Sequence, residues 1–156
     1  MNFKTLDTLL SKYNKKEIVF VGLGNTDRGD DASGIIILQK LQNIPDYSKC
    51  HFIDAGKNPE NHLQKILDYD PKIVVFIDST DFNREPGTIS LIDSQEIDNF
   101  DFSTHTFSIS LIEKYLLNHK KLETIYIGIQ PGSMKYGDKV SVAVKDGIEK
   151  FFGKIN

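Results

Sequence analysis

"IVFVGLGNTDRGDDASGIIIL", residues 18–38, decides the fold. Its first six residues, Ile18–Leu23, are an unbroken β-branched and aromatic run, the pattern of a strand buried on both faces. From Asp31 onward, "DASGIIILQKLQN" sets Ile35, Leu38 and Leu41 at helical spacing. A glycine-rich turn between strand and helix usually cradles phosphate, but this one ends in two adjacent carboxylates, Asp30 and Asp31. The dinucleotide fingerprint needs a glycine at position 27, which is Asp27. The mononucleotide loop matches from Gly24 to Gly29 and then fails, with Asp30-Asp31 in place of Lys and Ser/Thr. Two carboxylates would repel a pyrophosphate by a few kcal/mol at about 4 Å and an intermediate dielectric. Asp54, where a ribose-binding acid would stand, leaves nucleotide binding as an alternative. The same turn suits a cation, because helix N-terminal amides favour an ionised carboxylate.

Working outward, the apolar segments keep one rhythm. "HFIDA" is a short strand ending in Asp54, and Pro59 in "PENHLQKILDY" starts a helix that turns Leu63, Ile66 and Leu67 inward. "KIVVFID" (72–78) is a second fully apolar strand, with Asp78 at its end. Pro86-Gly87 forms a turn, and Thr88–Ile92 alternates in polarity as an edge strand does. "STHTFSISLIEKYLLNH" opens on Ser/Thr capping residues and continues as a helix bearing Ile109, Ile112 and Leu116. "TIYIGIQP" is a last core strand and "VSVAVKDGIEKFFG" a closing helix. Such alternation predicts an α/β sandwich on a mostly parallel sheet. Its ligand crevice lies at the C-terminal strand ends, where Asn25, Asp31, Asp54 and Asp78 fall.

At 156 residues the chain is read as one domain, 1–156, with residues 1–17 as a helical extension. Phe3, Leu6, Leu9, Leu10 and Tyr13 recur at helical spacing there; the alternative is a disordered arm. Apolar residues at 39% and charged residues at 26% fit a soluble globular protein. The net charge of −3 gives no footprint for nucleic acid. No run reaches membrane-spanning length. Cys50 is the one cysteine, so neither an intrachain disulfide nor a Cys-based zinc site is possible, and a reducing, cytoplasmic setting is expected.

One carboxylate of the Asp30-Asp31 pair, Asp78 and His105 form a candidate N/O ligand set for a borderline divalent ion such as nickel or zinc. His105 enters because "FSTHTF" precedes a helix able to return to the same sheet edge. Each has a plainer role: Asp30 or Asp31 as a cap of the following helix, which one of the two is expected to be, Asp78 as a loop hydrogen-bonder, and His105 as a cap of its own helix. His51, His62 and His119 receive no role. Nothing around Cys50 activates it, and no Ser-His-Asp arrangement is visible.

The blocks "GLGNTDRGDD", "IDAGKNPEN", "VVFIDSTDFNREPGTISLID", "STHTFSISLI" and "IYIGIQP" occur in the order seen in hydrogenase maturation proteases, and the chain resembles that family from about Ile18 to Phe152. It is most similar to the hydrogenase 3 type. The resemblance implies a three-layer α/β/α sandwich of phosphorylase/hydrolase-like form, with a five-stranded sheet parallel except for one strand. It implies an endopeptidase that removes the C-terminal extension of a [NiFe] hydrogenase large-subunit precursor. It further implies that nickel already in that precursor is the signal, and other divalent ions are expected to be able to substitute for it. Matched block by block, the metal ligands become Asp31, Asp78 and His105, with Asp31 and Asp78 catalytic. Asp30 is left to bond the turn or cap the helix. A non-catalytic nickel sensor is the other alternative, and the protein is expected to be a monomer. Two departures stand out: Ala32 where many relatives have Gly, and the extension before residue 18. Peptidyl-tRNA hydrolases also open on "GLGN", but their following Pro-Gly and Arg-His-Asn stretches do not appear after Asn25.

Overall fold

The computed structural model describes residues 1–93, 96–97 and 109–153, together with the backbone of 101–102. In chain order the elements are α1 (Phe3–Leu10), β1 (Ile18–Leu23), α2 (Ser33–Gln42), β2 (His51–Gly56), α3 (Leu63–Asp68), β3 (Ile73–Asp81), β4 (Ile89–Ile92), β5 (Asp101–Phe102), α4 (Ile109–His119), β6 (Glu123–Ile129) and α5 (Val142–Phe152). The main sheet has the order β2-β1-β3-β6-β4. Strands β2, β1, β3 and β6 run parallel, and β4 pairs antiparallel with β6 at the edge. This is the expected five-stranded mixed sheet. Beyond it, the two-residue β5 pairs antiparallel with Thr80 and Asp81 at the end of β3.

Strand side chains alternate between faces, and the core divides accordingly. Ile18 and Phe20 of β1 and Ile73, Val75 and Ile77 of β3 pack against α1, α2 and α5. Val19, Val21 and Leu23 with Val74 and Phe76 pack against α3 and α4. Both faces are covered, which is why the central strands read as continuous apolar runs. The amino-terminal segment is not a disordered arm: Asn2 caps α1 by accepting from the Thr5 amide. Leu6 and Leu10 are fully buried, and the Phe3 ring stacks on Phe152.

Two strands outrun their expected ends. β2 continues to Gly56 because Leu23 pairs with Gly56 after an irregularity in register. Asp54 therefore lies within the strand and is exposed. β3 continues to Asp81, since Asp78 and Ser79 stay paired with β6 and Thr80 and Asp81 pair with β5. Asp78 is thus an interior strand residue.

Candidate active site

The acidic turn is built by backbone constraints first. The Asn25 carboxamide oxygen accepts from the Asp27 amide at 3.0 Å, an Asx-turn that bends the chain straight after β1. Gly24 has φ of +132°, and a β-carbon there would stand 1.9 Å from the Asp31 carbonyl oxygen. Only glycine lets the end of the turn fold back on its beginning. At Gly34, in the first turn of α2, a β-carbon would lie 2.4 Å from the carbonyl oxygens of both Leu23 and Ile77. The start of α2 is thereby clamped onto the C-terminal ends of β1 and β3, next to Asp78. The 3₁₀ turn Gly29–Ala32, which carries both acids, packs against β3 as well.

Asp31 is 1% exposed and Asp78 is 2% exposed. The Arg28 guanidinium lies 3.7 Å from an Asp31 carboxylate oxygen and sits over the Tyr136 ring at 5.2 Å. Asp78 has the same strand parity as Val74 and Phe76, so it belongs to the face covered by α3 and α4. Its parallel partner is Gly128, where the Ile92 and Phe82 side chains occupy the space a β-carbon would take. His105 lies outside the described residues. Among the described residues no group of three His, Cys, Asp or Glu side chains gathers to hold a metal.

Asp30 departs from expectation. Neither acid caps the helix: the first turn of α2 and the 3₁₀ turn before it lack a side-chain cap. The fully buried Asp30 carboxylate instead accepts from the Ser141 amide at 2.6 Å and the Gly132 amide at 2.7 Å. It also accepts from the Ser133 amide at 3.0 Å and the Ser141 hydroxyl at 2.9 Å. Sequence reasoning gave Ser141 no part here; the signal was its place one residue before the helical pattern of α5, whose N-cap it is.

The turn makes a poor phosphate cradle, since its amides are already engaged. The N–H groups of Gly24, Arg28, Gly29, Asp30 and Asp31 donate to the carbonyls of Gly56, Asn25, Asp138, Ser133 and Arg28, and that of Asp27 to the Asn25 side chain. Asp54 accepts from the Gly56 amide two residues on. The nucleotide alternative loses the support of the glycine-rich turn.

Gln130 is a further residue that sequence reasoning left without a role. Its side-chain oxygen accepts from the amides of Phe82 and Arg84 at 2.9 and 3.1 Å, and its nitrogen donates to Asp81 at 3.0 Å. This locks the turn leaving β3 at the rim of the crevice. Donation by Gln130, with the Asn83 amide second, holds the Asp81 carboxyl below its usual range. Cys50 is buried, which pushes its thiol up to about 11, so it carries almost no thiolate near neutrality.

The family model for hydrogenase maturation proteases matches residues 35–156. A Methanocaldococcus jannaschii protein assigned as a hydrogenase maturation protease is 35% identical over 153 residues, 90% of this chain and 97% of that one. The hydrogenase 3 maturation protease of Escherichia coli is 29% identical over 141 residues, 88% of this chain and 87% of its own. The crystal structure of a [NiFe] hydrogenase maturation protease, HycI, from Thermococcus kodakarensis superposes with a TM-score of 0.80 at 28% identity, covering 93% of this chain and 92% of that one.

Proposed function

The chain belongs to the hydrogenase maturation protease family, and from that premise we propose that it is a monomeric, cytoplasmic endopeptidase that hydrolyses one peptide bond to release the C-terminal extension of a nickel-loaded [NiFe] hydrogenase large-subunit precursor. One observation carries the reading. Asp31 and Asp78, each 2% exposed or less, are buried on elements clamped together at the C-terminal ends of the central strands. Burying two carboxylates is costly unless a cation or donors meet them. With His105 they make a hard-to-borderline N/O donor set that suits a divalent ion such as nickel.

In this reading Asp31, Asp78 and His105 take hold of the precursor's own nickel, which sets the scissile bond beside the acids. Water adds to the scissile carbonyl, an aspartate takes the proton that the water gives up, and the departing amine receives a proton in return. The products are a new carboxyl terminus and a free peptide. The precursor's nickel then serves as recognition handle and template.

The test is incubation with nickel-loaded precursor and, in parallel, with nickel-free precursor, followed by mass measurement of the large subunit. Loss of the extension from the loaded form alone is expected. An unchanged mass of the loaded precursor would refute the proposal.

A further inference from the structure

We propose that Asp30 is a positioning residue: its buried carboxylate straps the loop 131–141 to the acidic turn and so fixes where Asp31 stands. The inference rests on the reading of Asp31 as a ligand of the precursor's nickel.

The strap has an unusual concentration of bonds. Asp30 gathers three backbone amides and one hydroxyl, from Gly132, Ser133 and Ser141. Its own amide donates to the Ser133 carbonyl at 2.9 Å, the Gly29 amide to Asp138 at 3.1 Å, and the Gly137 amide to Asp27 at 2.9 Å. Turn and loop are therefore joined in both directions. A β-carbon on Gly29 would stand 2.7 Å from the Ser133 carbonyl, so the two backbones are in close contact. The loop also reaches the site at two other points. Tyr136 lies over Arg28, which pairs with Asp31, and Met134 sulfur accepts from the Ser79 hydroxyl beside Asp78 at 3.5 Å.

The geometry assigns a reason for a carboxylate at this position. Four donors converge on two oxygens, and only an ionised acid offers acceptors on both. An Asn side chain would aim an NH₂ group at either the Ser141 amide or the Gly132 and Ser133 amides, forcing turn and loop apart. The turn's last residue, Asp31, moves with it. A displacement of about 1 Å at a positioned catalytic group costs on the order of 100-fold in rate.

The experiment compares the full chain with Asp30→Asn, Ser141→Ala and Leu10→Ala. Ser141→Ala keeps every charge while removing one bond of the strap and the α5 cap bond to the Val144 amide, the loss of stability from the cap being read against Leu10→Ala. Leu10→Ala destabilises a fully buried site on α1, outside the acidic turn and the loop, and serves as the purely structural control. Urea midpoints, kcat and KM on nickel-loaded precursor, and calorimetric affinity for cadmium alone are measured for each. Asp30→Asn is expected to lower kcat at least tenfold and to weaken cadmium binding at least threefold, with KM rising in step with the weaker metal grip. Ser141→Ala should move both in the same direction by less. Leu10→Ala should lower the urea midpoint while leaving kcat and cadmium affinity at wild-type values.

Wild-type kcat and cadmium affinity in folded Asp30→Asn would overturn the proposal. Should Asp30→Asn fail to fold, Ser141→Ala decides alone, and unchanged kcat and cadmium affinity there overturn it. A wild-type chain that binds cadmium without cutting the precursor refutes the proposed function while the cadmium series still judges the strap. A wild-type chain that does neither removes the premise and the strap's role with it.

Discussion

Asp30 and Asp31 are neighbours in the chain and equally hidden from solvent, yet their surroundings are opposite. Asp30 is met by four donors at 2.6–3.0 Å, the short range of charge-assisted hydrogen bonds. Those donors come from residues more than 100 positions further along. Asp31 is met by a guanidinium on its own turn at 3.7 Å, longer than a charge-assisted hydrogen bond. A set of convergent short bonds from backbone amides is a structural fixture, whereas a carboxylate that faces a guanidinium sits in surroundings that suit a positive charge. Burial of a carboxylate therefore does not by itself mark chemistry; the identity and distance of its partners do.

The largest effect that would sharpen this contrast is expected at Asp31. Asp31→Asn should lower processing of nickel-loaded precursor by roughly 10²–10⁴-fold, while the urea midpoint falls less than it does in Asp30→Asn. Normal processing by that variant would break the division of labour between the two acids. Asp30→Asn should show the stronger effect on stability. Leaving buried donors without acceptors and opening a fully buried charged network is worth about 2–4 kcal/mol, above the roughly 0.5–2 kcal/mol of a helix cap. Urea unfolding separates the two, and a loss inside the cap range with the α5 amides still protected from exchange would argue against the strap.

Gly34→Ala probes the clamp that brings the turn to β3. A β-carbon 2.4 Å from two backbone oxygens cannot be absorbed by a side-chain rotation, so a cost of about 1–3 kcal/mol is expected. Processing should fall with it, because the turn carrying Asp31 is lifted from the strand carrying Asp78. Full activity would show that the clamp is not what sets the acids together.

The smallest effects are expected at Cys50, buried and remote in role from both acids. Cys50→Ala should process precursor within about twofold of wild type, and iodoacetamide should label the folded chain slowly at pH 8. Its pH signature has a definite sign. The folded thiol titrates near 11, above its ordinary value of 9.0, so the folded state holds its proton longer than the unfolded chain. The associated stability is present below about pH 9 and declines as pH rises toward 11. A rise in stability over that window, absent in Cys50→Ala, would contradict the burial.

Sequence alone determined the alternation of strands and helices, because apolar periodicity reports directly on which faces are covered. It placed β1, α2, β4 at the edge and α5 nearly where they stand, and five ordered blocks were enough to recognise the family. It also pointed to the Asp30-Asp31 pair after the first apolar run and to Asp78 after another, and the family resemblance chose Asp31 within the pair. Strand ends were less legible: β3 runs past Asp78 through pairing with β6 and β5, and pairing partners leave no local mark. What only the tertiary structure decided is the fate of Asp30. Read locally it would bond the turn or cap the helix; folded, it bonds Gly132, Ser133 and Ser141. Local propensity carries the information for a cap within three residues, but the donors that claim this carboxylate are brought to it only when α5 and the loop before it close over the turn.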